Sequence, residues 1–204
     1  MPREASRGHE LSDEGLLEAE LEYITQTAFQ ANEDRARVSS FYLLAVGSLV
    51  AAVFSAQLVD RDVDAAIIAW AFTVLFFVLT ALGTLTTLQL SRLRAAWYDS
   101  MLAMNQLKDY WLRHSADKRL KEAFRWDTGS LPPKYKTNSV SHYQALEVAL
   151  LSGLTFGAGV YFLQQAIGYN CRACNWGYAI SFGILTCLLQ LFLYKRTLGD
   201  EHAS

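Results

Sequence analysis

The residues best equipped for chemistry in this 204-residue chain are three cysteines, four histidines and one glutamate set at the edge of an apolar run. Cys171 and Cys174 have the C-x-x-C spacing. Two thiols supply only half of a four-coordinate zinc site, and no histidine lies near them. A thioredoxin-like motif needs a βαβ setting, which the chain does not offer. What remains is a disulfide within the loop, or two plain thiols in a wetted turn. Cys187 lies inside an apolar run and reads as a filler. His9, His114, His142 and His202 all fall outside such runs, so paired-histidine haem ligation within a membrane is excluded. No nucleophile–base pair, phosphate-binding glycine loop, metalloprotease helix or dinucleotide turn is present. The expectation is a protein that is not an enzyme, with no catalytic residue, no metal site and no cofactor.

The elements that position these residues are apolar and long. Val38–Val59 and Ala65–Ser91 carry no charge and are separated by Asp60-Arg61-Asp62-Val63-Asp64. At about 1.5 Å rise per residue, the shorter of the two makes a helix of roughly 33 Å, enough for a hydrocarbon core of about 30 Å. Val148–Cys171 and Ala173–Tyr194, equally free of charge, form a second such pair around Arg172. The runs are continuous rather than alternating, so they are helices and not barrel strands. The fold class is all-α: a four-span transmembrane protein with extended cytoplasmic amphipathic helices.

Charge sets the orientation. Residues 92–142 hold ten of the eighteen lysines and arginines, Arg35 and Arg37 abut the first span, and Lys195-Arg196 abut the last. The two short turns carry only Arg61 and Arg172. By the positive-inside rule both termini are cytoplasmic. Residues 1–37 carry nine carboxylates against four arginines and no apolar core, so Val38–Val59 is expected to serve as its own signal anchor. The basic group Lys118, Arg119, Lys121 and Arg125 follows the same inside bias; it also suits phospholipid headgroups.

Within the spans, small residues recur every fourth position: Gly47, Ala51 and Ser55 in the first, Ala149, Gly153 and Gly157 in the third. That spacing lets helix backbones approach closely, so these are the helix-contact candidates. The second span turns polar towards its end. Its Thr80, Thr84 and Thr87 either bond back to carbonyls one turn earlier or line a pore. Glu147 sits at the border of the third span, as an exposed interfacial charge, a partner for Lys134 or Lys136, or a carboxylate at a pore mouth.

Outside the spans, Leu17, Leu21, Ile24 and Ala28 step along one helical face that runs on through Arg35. Trp97, Met101, Met104 and Trp111 continue the face of the second span beyond Ser91. These two stripes form one cytoplasmic seam. The organisation is then 1–11 disordered tail, 12–37 cytoplasmic amphipathic helix with Ser12 as its cap, 38–91 first transmembrane hairpin, 92–142 cytoplasmic helical segment, 143–194 second hairpin and 195–204 tail. Within 92–142, Lys118–Trp126 reads as a short amphipathic helix, and within the second hairpin 164–177 reads as the turn.

A helix leading into a hairpin and then a long cytoplasmic helix, Leu17–Trp111 with Asn32-Glu-Asp-Arg35 before the first span and Trp97-Tyr98 after the second, resembles the SLATT-type bacterial membrane modules. The resemblance implies a bacterial inner membrane and a pore-forming or membrane-perturbing role in anti-phage defence. The second hairpin departs from the two-span pattern. Taken together, the sequence suggests an oligomeric, channel-like or membrane-perturbing effector gated from the cytoplasmic side; the alternative is a non-conducting scaffold or sensor docking a soluble partner through its cytoplasmic helices. The expected partners are membrane lipid, further copies of the chain and a cytosolic protein; nucleic acid is not expected.

Overall fold

A computed structural model describes residues 13–56, 65–114, 127–169 and 171–199. Four helices account for most of them, with no strand among the described residues: α1 (Asp13–Ala56), α2 (Ala65–His114), α3 (Val140–Ala166) and α4 (Arg172–Gly199). Each is long and apolar enough to cross a membrane. The chain is an all-α integral membrane protein with four candidate spans. The tail 1–11, the Ser12 cap, the 60–64 turn, the Lys118–Trp126 helix with its basic group, and residues from 200 onward lie outside the described residues.

No proline interrupts residues 13–56 or 65–114, so each amphipathic stretch runs into its span as one helix. The chain divides into two compact units, and the division does not fall at the ends of the apolar runs. One unit comprises the described residues of 1–30 and 96–132; the other comprises those of 31–95 and 133–204. Arg35 and Arg94, which flank the first hairpin in sequence, therefore belong to the spanning unit.

In the first unit Ile24 and Ala28 are buried, while Trp97, Met101 and Met104 are half-buried. Leu17 and Leu21 face Leu107 and Trp111 across a groove of about 210 Å³. Asp127 turns the chain after α2: its carboxylate and carbonyl both accept from the Ser130 N–H, at 2.8 and 3.2 Å. The turn is tied to α2 by Asn105, whose amide donates to the Asp127 carbonyl, and by Thr128, whose hydroxyl donates to Asp109.

In the spanning unit, α1 buries Ala31, Arg35, Ser39, Tyr42, Val46 and Leu49, and α2 buries Ala69, Thr73, Phe76, Thr80, Gly83, Thr87, Leu90 and Arg94. Steps of three and four keep each buried stripe on one face along the length of its helix. The opposite faces are apolar and exposed (Phe41, Leu44, Phe54, Val74, Val78 and Leu85 among them), as a lipid-facing surface requires.

α3 starts at Ser139, whose extended backbone and side chain cap the His142 N–H at 3.3 Å. It ends in a Schellman closure. Gly168 adopts φ +74°, the Tyr169 N–H bonds the Gln164 carbonyl at 2.9 Å, and the Gly168 N–H bonds the Gln165 carbonyl at 3.1 Å. α4 resumes at Arg172, so the connection is shorter than the expected 164–177 turn. Asn175, fully buried, secures it by donating to the Tyr169 carbonyl at 3.2 Å. Cys171 in this connection is joined by a disulfide to Cys174 in the first turn of α4, and Cys187 is a free thiol. Intact mass after alkylation in denaturant should accordingly show one adduct without reductant and three with it. Three adducts in both would mean the pair is reduced in the purified protein.

Candidate functional site

Three features of the spanning unit involve residue types capable of recognition. The first is the α3–α4 crossing. A β-carbon added to Gly153 would lie 2.6 Å from the Gly183 carbonyl oxygen, and one on Gly157 would lie 2.7 Å from that of Ala179. Here the backbones touch, and the partner of the Gly153/Gly157 ridge is within the same chain. Beside it an apolar groove of about 750 Å³ opens between the two helices, walled by Leu154, Tyr161, Phe162, Trp176, Ile180 and Ile184.

The second feature is a hydroxyl–amide network at the centre of the unit. Thr80, Thr84 and Thr87 each donate to the carbonyl one turn earlier, those of Phe76, Thr80 and Gly83. They also meet side chains across the bundle. Thr80 Oγ1 lies 3.1 Å from Thr155 Oγ1. The Gln190 amide on α4 donates to Thr84 Oγ1 at 2.9 Å and to Ser152 Oγ at 2.6 Å, and its oxygen lies 3.4 Å from Thr87 Oγ1. Ser152 in turn donates to the Thr80 carbonyl at 3.3 Å. A hydroxyl has one proton to give and lone pairs to accept with, so Thr84 and Ser152 each use both capacities here. Tyr42 points its hydroxyl into the same cluster, beside Gly83 and Ser152, without an aligned hydrogen bond.

The third feature lies where the α1 and α2 seams leave the apolar runs. Both helices place an arginine there: Arg35, three residues before Val38, and Arg94, three residues after Ser91. They are only 8% and 6% exposed. Arg35 donates to Ser141 Oγ on α3 and to Asn32 Oδ1 on its own helix, both neutral, and its Nε is buried without a partner. Arg94 Nε donates to the Lys134 carbonyl at 3.1 Å. Tyr194, the last residue of the fourth apolar run, is fully buried and lies close enough to interact electrostatically with both guanidiniums. The His142 ring sits 6.4 Å from that of Tyr194 and 5.8 Å from that of Tyr135. Burial lowers the pKa of both arginines, and the charge of Arg94 lowers that of Arg35 further. Arginine starts high enough to stay cationic regardless.

Comparison with known proteins returns nothing: no family model, no curated protein and no solved structure matches the chain.

The sequence-derived candidates separate by their place in this geometry. Thr80 and Thr87 are buried and Thr84 is half-buried, all within the polar network. Ala149, Gly153 and Gly157 are buried, the two glycines against α4. Gly47, Ala51 and Ser55 lie on the exposed face of α1, and a β-carbon on Gly47 would meet nothing within 4 Å. The seam phase explains this, because Tyr42, Val46 and Leu49 occupy the inward face. Glu147 is exposed on α3. Sequence reasoning missed Gln190, Ser152, Thr155 and Gly183. Gln190 had a visible signal, an amide inside an apolar run four residues from its end, but nothing local names its partners.

Proposed function

We propose that this protein is a non-conducting membrane scaffold or sensor, assembled from several copies in the bacterial inner membrane, that docks a soluble protein on its cytoplasmic side. The observation that carries the reading is the closure of the polar network. Conduction needs polar groups turned to water, whereas Thr80, Thr84 and Thr87 bond to helix carbonyls, Thr155 and Gln190 inside the protomer. Docking draws support from the first unit, which carries exposed Leu16, Leu21, Tyr23, Phe29, Tyr110 and Trp111 outside the apolar runs. Assembly draws on the open Gly47, Ala51 and Ser55 face, since small residues at this spacing favour close helix contact between copies. Both termini lie in the cytoplasm on this reading, following the distribution of lysine and arginine.

Leu21→Glu with Trp111→Glu tests it. The expected outcome is loss of a co-purifying cytosolic protein while the oligomer persists in detergent and liposomes stay tight to ions. Ion flux through liposomes holding the purified protein alone would defeat the scaffold reading.

Glu147 supports a second reading, the channel-like effector gated from the cytoplasm that the SLATT-type resemblance suggests. It is an exposed carboxylate at a span border, and a symmetric assembly would arrange its copies in a ring. On that reading the conducting path runs between protomers, and Glu147→Gln lowers cation flux.

A further inference from the structure

The short connection between α3 and α4 is held by more than its disulfide. Schellman bonds close α3, Asn175 donates to the Tyr169 carbonyl at 3.2 Å, and the Tyr161 and Trp176 rings pack 5.1 Å apart. Cys171 and Cys174 are three residues apart, so their bond closes a small ring and removes little chain entropy. Its placement suits chemistry better than support. The Cys171 carbonyl accepts the first bond of α4, from the Asn175 N–H at 3.0 Å, which makes Cys171 the N-cap and puts Cys174 in the first turn. Both cysteines therefore stand at the positive end of a 28-residue helix, where a thiolate is stabilised. That setting needs no βαβ unit. Cys171 is exposed and Cys174 half-buried, so one end of the bond is open to attack and the other is screened. Asn175, the next residue, is fully buried and its amide oxygen has no partner. An orphaned acceptor calls for a donor, and reducing the pair creates S–H donors in the same turn.

We infer that the Cys171–Cys174 bond is an exchangeable disulfide that takes two electrons from a dithiol protein. A thiolate of the dithiol attacks the exposed Cys171 sulfur. As this mixed disulfide forms, the Cys171–Cys174 bond breaks, and its electron pair leaves on the Cys174 sulfur, which then takes a proton from water. The second thiolate of the dithiol attacks its own sulfur in the mixed disulfide. That closes the disulfide of the partner and releases Cys171 as a thiolate at the cap of α4. The partner loses two electrons and two thiol protons, and the cysteine pair gains as many. Each leaving sulfur departs at the helix N-terminus, and a better stabilised leaving thiolate speeds exchange. Under the orientation proposed above, the pair faces the extracytoplasmic side, where disulfides persist. The chemistry itself depends neither on that orientation nor on whether the protein conducts.

Exchange kinetics test it. The oxidised full-length protein in detergent is mixed at neutral pH with a reduced C-x-x-C peptide, and free thiols are counted by timed alkylation and intact mass. The oxidised peptide spanning 168–177, too short to hold a helix in water, is the reference. The protein should be reduced about three- to tenfold faster than the reference, the gain expected from a helix N-terminus under the leaving thiolate. Reduction at an equal or slower rate would overturn the inference. Two variants, each also carrying Cys187→Ala, locate the reactive sulfur. With oxidised glutathione, Cys174→Ser should form a mixed disulfide at Cys171 about tenfold faster than Cys171→Ser forms one at Cys174. Equal rates, or faster capture at Cys174, would also overturn it. If either variant fails to fold, the rate measured on the wild-type protein decides alone.

Discussion

Replacing Gly153 by valine should separate α3 from α4 and destabilise the spanning unit by about 3 kcal/mol or more, at the upper end of what overpacking costs. The reason is specific to the contact. The new β-carbon would sit 2.6 Å from a backbone oxygen, that of Gly183, and 3.1 Å from Cys187 Cβ. A carbonyl in the body of α4 has no rotamer to escape into, so the whole helix has to move. In lipid that matters more than it would in water, because helix association there relies on close van der Waals contact rather than on a hydrophobic driving force. Gly47 supplies the control. It has the same residue type and the same four-residue spacing of small neighbours, but open space where its β-carbon would be. Gly47→Ala should be neutral or stabilising by up to about 1 kcal/mol through helix propensity, whereas Gly153→Ala should be destabilising. Thermal unfolding in detergent, followed by circular dichroism, reads both. If the two alanine variants shift the midpoint in the same direction and by similar amounts, the α3–α4 crossing is misplaced. A change of oligomer size in Gly47→Val with an unchanged midpoint would locate the contact between copies on that face.

These two glycines also show what was legible in the chain and what was not. The spans could be read because a charge-free run long enough to cross about 30 Å as a helix has few homes besides a bilayer, and this information is local. The Gly153/Gly157 ridge could be read as a contact for the same reason. Its partner could not, since Gly183 and Ala179 lie on another helix and nothing in their own neighbourhood announces the pairing. The Gly47 ridge had the same spacing and turned out to face outward, because helix phase and not spacing decides which face is buried. Phase was available in the sequence: stepping from Ile24 through Ala28 and Ala31 arrives at Arg35. The seam runs on through that residue in the sequence, but its charge marks it equally as a cation flanking the span, and spacing alone does not say that the guanidinium is buried. The threonines lie at the other extreme. Their bonds to carbonyls one turn earlier are a local property, while their bonds to Gln190 and Thr155 join residues 75 to 106 positions apart. Only the assembled bundle contains that information.

Gln190→Leu should cost about 1–3 kcal/mol of stability, taking each interhelical hydrogen bond in lipid at about 0.6 kcal/mol on average and 1.7 at most. Leucine is close to glutamine in volume, so little of this would come from a cavity. The amide makes contacts to Thr84, Ser152 and Thr87, and no single neighbour can replace them. The loss stays modest because Thr84 and Ser152 keep their own donor bonds to the Thr80 carbonyl. What disappears is the hydrogen-bonded link from α4 to Thr84 and Thr87 on α2 and to Ser152 on α3, while the α3–α4 backbone contact remains. A double-mutant cycle isolates it: Gln190→Leu with Ser152→Ala should show a coupling of about 0.5–1.7 kcal/mol, and Gln190→Leu with Thr186→Ala should show none. Thr186 is the suitable control because its hydroxyl bonds within α4, to the Phe182 carbonyl at 2.9 Å. The same variant bears on function. If the threonines faced a water-filled path, removing Gln190 would leave them hydrated and the Ser152 coupling would vanish. A coupling near zero, with ion flux altered by Gln190→Leu, would transfer these hydroxyls from a closed network to a pore wall.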